Sequence, residues 1–302
     1  MAEKTMKIKP QVLAALSLSL VASASPSAQA LPLVQARVET KHLMPHWKLV
    51  WADEFNTYGP PDPRNWNFES GFARNEEDQW YQPSNAWCRD GMLTIEARRE
   101  DKPNPNFEAG SADWKKNRPL ARYTSSSLTT GGLHSWRYGR FEMRARINTR
   151  SGMWPAFWTV GTKGEWPSCG EIDIMEFYRN NLLANLAWGT AKRWNARWHS
   201  TRTPLEQFRD PNWSSKFHVW RMDWDRNFIR LFVDDRLLNE TALKDTINGD
   251  ASGLNPFHQP HSIILNLAIG GQNGGDPSST TFPAKFDIDY IRVYQDQNQA
   301  QP

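Results

Sequence analysis

Cysteine and long apolar runs are what this 302-residue chain lacks. It has 2 cysteines, Cys88 and Cys169. Two thiols build neither a zinc framework nor a disulfide-dense scaffold. No stretch reaches the roughly 18 apolar residues of a membrane-spanning helix after the amino terminus is set aside. Glycine (18) and proline (20) are near ordinary usage, which excludes collagen-like and low-complexity chains. One-sided charge is missing too. Lys4, Lys7 and Lys9 precede an apolar run from Val12 to Ala22, and Ala28-Gln29-Ala30 forms an A-x-A site, the pattern of a secretory signal peptide over residues 1–30. Its removal takes away three Lys and one Glu and leaves 33 basic and 32 acidic residues, a net charge of +1. That balance points away from a nucleic-acid partner. A secreted chain, periplasmic or extracellular, with no integral membrane segment after cleavage is expected. Export also opens two alternatives for the cysteines, a Cys88–Cys169 bridge or two separate buried thiols.

Aromatics are abundant: 16 Trp, 7 Tyr and 14 Phe. Their arrangement is that of strands. Phe141–Ile147 alternates apolar and charged residues at period two, as a half-buried strand does. Trp220, Met222 and Trp224 alternate with Arg221 and Asp223, the turn Asp225-Arg226-Asn227 follows, and Ile229, Leu231 and Val233 resume the alternation, a hairpin pattern. Further strands are expected at Trp47–Trp51, Met92–Ala97, Ser262–Leu267 and Phe286–Tyr294. No long segment has helical spacing. The fold class is therefore all-β, a sandwich of two antiparallel sheets over residues 47–295. Residues 31–46 and 296–302 read as tails, and 101–122, rich in Pro, Asn and Lys, as a surface loop.

The chemistry is concentrated in Gly170-Glu-Ile-Asp-Ile-Met-Glu-Phe177, which holds three carboxylates in six residues. Glu171 and Asp173 share one face of a strand, but Glu176 has the wrong parity. One extra residue at Ile174-Met175, a β-bulge, returns it to that face. The neighbouring Ile172, Ile174, Met175, Phe177 and Tyr178 suit an interior strand. Three like charges there raise at least one pKa, which structure alone does not reward. Paired carboxylates flanked by aromatics suit glycoside hydrolysis, with carboxyls about 5–5.5 Å apart in retaining enzymes. Strand geometry puts the two Glu Cα atoms roughly 13 Å apart, so the side chains must converge.

This segment resembles the E-x-D-x-x-E signature of glycoside hydrolase family 16. The resemblance extends over most of the chain: Trp47–Asn56, Gly71–Tyr81 (GFARNEEDQWY), Tyr138–Ile147, Met153–Trp158 (MWPAFW), Phe217–Asp225, Ile264–Gly271 and Phe286–Tyr294. It implies a β-jelly-roll with a concave cleft and a retaining endo-hydrolase of β-linked polysaccharides. Glu171 is then the nucleophile, Glu176 the acid/base and Asp173 the assisting residue. Catalysis needs no cofactor. Trp136, Trp154 and Trp158 match or neighbour cleft positions. Asn75 and Asn266 match segments that bind sugar hydroxyls. The resemblance also carries a structural calcium on the convex face, with backbone oxygens of Glu54 and Gly91 and the side chain of Asp289, although Asp289 facing solvent is an equal alternative. His218 is expected to be structural.

The chain leaves the β-1,3-glucanase pattern just after the carboxylates. Trp188 stands where those enzymes carry a His, and 178–216 holds seven basic against two acidic residues. Trp188, Arg193 and Trp194 are therefore added as candidate substrate contacts, either in a solvated loop or in a wall reading an anionic glycan. The expectation is a monomer acting on β-1,3- or 1,3-1,4-glucan. A galactan substrate of agar, porphyran, carrageenan or arabinogalactan type is the alternative, and a transglycosylase or a lectin-like binding module are the minor ones.

Overall fold

The structure, a computed structural model, describes residues 46–297. The expected signal peptide and most of both expected tails fall outside the described residues. Two large antiparallel sheets dominate. One runs in the order 236–242, 228–233, 218–224, 139–146, 284–296, 92–97, 86–89, and Trp47–Asp53 also pairs with Ala284–Asp296. The other runs 196–204, 181–189, 171–178, 153–161, 261–269, 127–129, 67–68. Helix among the described residues is confined to short turns, as the lack of helical periodicity predicts.

Alternation drives the packing. On Gly139–Arg146 every second residue is buried, placing Phe141, Met143 and Ala145 in the core. His218–Trp224 contributes Trp220, Met222 and Trp224 from the neighbouring strand, and the 225–227 turn leads into Phe228–Val233 as expected. The second sheet answers with Ile172, Ile174, Met175, Phe177, Leu186 and Leu265. Each large side chain so enclosed contributes about 1.5–3 kcal/mol. The sandwich core therefore fixes which face of each strand is left for chemistry.

Some expectations need adjustment. The final strand reaches Asp296, which pairs with Trp47, so Asp296 belongs to the sheet and not to a frayed end. The 101–122 loop carries two short bridged strands, Lys102–Pro103 and Leu120–Ala121. It also packs Trp114 beside Phe72. Cys88 and Cys169 are separate buried thiols. His218 is structural: its ring stacks on Trp213 and bonds Asp234 and the Trp213 carbonyl.

Candidate active site

The strand Glu171–Tyr178 is interior to its sheet, between 153–161 and 181–189. From Asp173 to Glu176 it advances three residues while its neighbour advances two, from Asn185 to Leu183. That is the expected bulge at Ile174-Met175. Ile172, Ile174, Met175 and Phe177 all enter the core. Glu171, Asp173 and Glu176 are thereby left on the open face. Glu171 starts the strand directly after Gly170, whose φ is +80° and whose added Cβ would lie 2.9 Å from Pro256 Cβ. Only glycine suits that left-handed, crowded position.

Asp173 is fully buried between the two glutamates and within hydrogen-bonding reach of both. Each glutamate also receives an indole. Trp166 Nε1 donates to Glu171 Oε2 at 2.6 Å, and Trp154 Nε1 donates to Glu176 Oε1 at 2.8 Å. Asn185 Nδ2 donates to Asp173 at 3.1 Å and to Glu176 at 3.0 Å. Burial and then the charges of Glu176 and Glu171 push the Asp173 carboxyl well above its ordinary range. Burial raises Glu176 to about 7, despite the Trp154 hydrogen bond. Burial raises Glu171 as well, against hydrogen bonds from Asp173 and Trp166 and the field of Arg74. Three acids held this close titrate as one coupled set. This arrangement offers a carboxylate held by donors at one end and, at the other, a carboxyl raised to about 7.

Beside them runs a chain of polar side chains. Trp158 Nε1 donates to Asn266 Oδ1 at 2.7 Å, Asn266 Nδ2 to Tyr81 at 3.1 Å, Tyr81 to Glu77 at 3.2 Å, and Asn75 Nδ2 to Glu77 at 3.4 Å. Arg74, ion-paired with Glu69, lies over the Trp158 ring at 5.1 Å. Trp154 thus touches Glu176 directly, and Trp158, Asn266 and Asn75 are joined to one another through Tyr81 and Glu77.

Trp188 and Trp136 do not gather there. Trp188 is 5% exposed and packs in the sandwich core. The reason is parity: Asn185 and Ala187 oppose Asp173 and Glu171, so Trp188 falls on the opposite face. Trp136 stacks on His134, tilts against Trp51 and meets Phe141 edge-on at the margin of the core. Arg193 and Trp194 lie on the loop after 181–189, and Arg193 is forked onto Glu165. The expected calcium ligands are two backbone oxygens, of Glu54 and Gly91, and one side chain, that of Asp289. The Asp289 carboxylate is ion-paired with Arg144, and the Glu54 side chain with Arg292. Among the described residues no cluster of three or more His, Cys, Asp or Glu is gathered to hold a metal.

Sequence reasoning missed Trp166, Asn185, Arg74, Glu77 and Tyr81. Asn185 was findable once the strands were registered, since it sits opposite Asp173. Trp166 lies in a loop and has no periodic signal.

Comparison with known proteins gives the same picture. Residues 78–292 match the profile described as glycosyl hydrolases family 16. The chain is 38% identical to a β-glucanase of Rhodothermus marinus, over 83% of this chain and 86% of that one. It superposes at a TM-score of 0.76, with 35% identity and coverage of 84% and 93%, on a structure reported with endo-acting O-glycanases that human gut microbes use to initiate mucin breakdown. It superposes at 0.70, with 32% identity and coverage of 84% and 100%, on the catalytic domain of an endo-1,3-β-glucanase (laminarinase) from Thermotoga petrophila. With its three carboxylates on one bulged strand and this match across most of its length, the chain belongs to glycosyl hydrolase family 16 and is a glycoside hydrolase.

Proposed function

We propose that the protein is a secreted, endo-acting, retaining hydrolase of β-1,3- or 1,3-1,4-glucan. One observation carries the chemistry: two glutamates on the open face, each held by an indole N–H, with a buried aspartic acid between them. Glu171 keeps the larger share of negative charge, because Trp166, Asp173 and the field of Arg74 all favour its ionised form. Its carboxylate attacks the anomeric carbon. The glycosidic C–O bond breaks, and the leaving oxygen takes the proton from Glu176, whose pKa of about 7 suits a general acid at neutral pH. Water then gives a proton to Glu176 and its oxygen to the anomeric carbon, releasing Glu171. Asp173, within hydrogen-bonding reach of Glu171, keeps it oriented through both steps. The glucan preference rests on similarity to the β-glucanase and the laminarinase, and export on the signal-peptide pattern of residues 1–30.

A galactan-type substrate is the second reading. Trp198 opposes Ala187 and Arg202 opposes Leu183, so by register both share the face of the carboxylates on the edge strand. An exposed indole and guanidinium there suit a substituted or anionic sugar. The likeness to the mucin-associated O-glycanase structure adds weight.

Glu171→Gln is expected to abolish turnover by roughly 10⁴-fold or more while oligosaccharide binding persists. Cleavage near the wild-type rate would remove Glu171 as nucleophile. New reducing ends from laminarin and lichenan, measured beside agarose, porphyran, carrageenan and arabinogalactan, decide the sugar. Activity confined to the galactans overturns the glucan reading.

A further inference from the structure

At the end of the second sheet where Glu171 begins, loops from three parts of the chain enclose a cavity of about 950 Å³. Ligand pockets span about 300–1,000 Å³. Its walls include Trp166, Trp194, Ile247 and Leu254, which are 38%, 57%, 48% and 65% exposed. Exposed apolar surface gathered around a concavity marks a binding site. The cavity is also pre-formed. Arg193 forks onto Glu165 at 2.9 and 2.8 Å, joining two of the loops, and lies 4.9 Å from the Trp194 ring centre. Asn248, itself buried, accepts from the Gly189 N–H at 2.8 Å and donates to the Ser168 carbonyl at 2.9 Å, tying the third loop to the other two. Trp194 has φ of 64°, a costly conformation for a bulky side chain. The loop accepts it and leaves the indole at the surface.

Trp166 is the wall shared with the candidate active site, since its Nε1 donates to Glu171. The position of the cavity then says what enters it. Glu171 and Glu176 must flank the scissile bond, and the line between them runs along their strand. The polysaccharide chain therefore crosses the strands. The cavity lies off the strand end, beside the chain and not under it. Its occupant is a substituent pointing sideways from the backbone.

We propose that this cavity is a side pocket for a neutral glycosyl branch carried by the polysaccharide being cut, a proposal that rests on the glycanase reading above. Indole faces suit the C–H face of a sugar ring. The charge in the walls is close to balanced: Lys163, Arg193 and Lys244 face Glu165 and Asp250, and Arg193 is spent on Glu165. That favours an uncharged ring over an acidic one.

The test compares linear β-1,3-gluco-oligosaccharides with the same backbone bearing single β-1,6-glucosyl branches. Trp194→Ala is expected to lower the ratio of branched to linear kcat/KM about tenfold, and Trp194→Phe to keep most of it. An unchanged ratio, or an equal loss on both substrates, overturns the pocket. Wild-type protein that cuts neither glucan overturns the glucan reading instead, a failure visible without any variant.

Discussion

The two sheets handle their acidic residues in opposite ways. On the first sheet, carboxylates find arginines across the strands, Asp223 with Arg140, Asp287 with Arg146 and Asp289 with Arg144, and just past a strand end Glu54 pairs with Arg292. On the second, Glu171, Asp173 and Glu176 crowd onto one bulged strand and receive indole and amide N–H groups in place of cations. The first arrangement is what cross-strand pairing gives when only the sheet is at stake. The second costs stability, because burial raises the pKa of all three acids. A chain that pairs its acids readily on one sheet and leaves three together on the other holds them there for proton and bond chemistry.

The largest effects are expected where the comparison is broken on the catalytic side. Glu176→Gln removes the general acid and is expected to lower kcat by about 10²–10⁴-fold. The same change is expected to stabilise the protein at alkaline pH. Glu176 titrates near 7 when folded and near 4.3 when unfolded. The folded state therefore binds the extra proton between those values, and the cost of ionising it grows as pH rises through that window. Glutamine has no such cost. Thermal unfolding of the variant should match wild type near pH 4 and occur at higher temperature at pH 8. A lower Tm at both pH values would show that Glu176 is held as a structural acid, like those of the first sheet.

A smaller loss is expected from Trp166→Phe, which deletes the donor to Glu171 and keeps the aromatic ring. A hydrogen bond to a charged group contributes about 1.5–3 kcal/mol, so kcat/KM should fall roughly 10- to 100-fold. Without that donor the Glu171 pKa rises, and the acidic limb of the pH–rate profile moves to higher pH. A fall in rate with the acidic limb unmoved would mean that Trp166 only shapes the cleft.

How far the sequence reached depends on the same contrast. Residues whose role follows from strand parity were legible: the alternation of 139–146 and 218–224, and the bulge that returns Glu176 to the face of Glu171 and Asp173. Parity could also have excluded Trp188, because register with Glu171–Tyr178 turns it inward. Its position beside a basic loop suggested otherwise. Asp289 is a different case. Whether a surface carboxylate binds a cation or an arginine depends on a strand 145 residues away in sequence, which no local pattern reveals. Trp166 and the tilted contact of Trp136 with Trp51 are loop and margin contacts, set by three-dimensional approach alone.

The smallest effect belongs to the first sheet, and it completes the contrast. Asp289→Asn breaks the pair with Arg144, whose side chain is 41% exposed while that of Asp289 is 33% exposed. Solvent screens such a pair, so the loss of stability should lie below about 1 kcal/mol. Turnover should be unchanged, because Asp289 sits on the sheet opposite the carboxylates. Added calcium should not raise the Tm of the wild-type protein, since arginine occupies the carboxylate. Glu176→Gln and Asp289→Asn each replace one acid by its amide, yet the expected signs are reversed: activity lost and alkaline stability gained in the first, activity kept and a little stability lost in the second. A calcium-dependent rise in wild-type Tm that Asp289→Asn abolishes would instead place Asp289 in a metal site, and the Arg144 pair would then be the arrangement that the ion displaces.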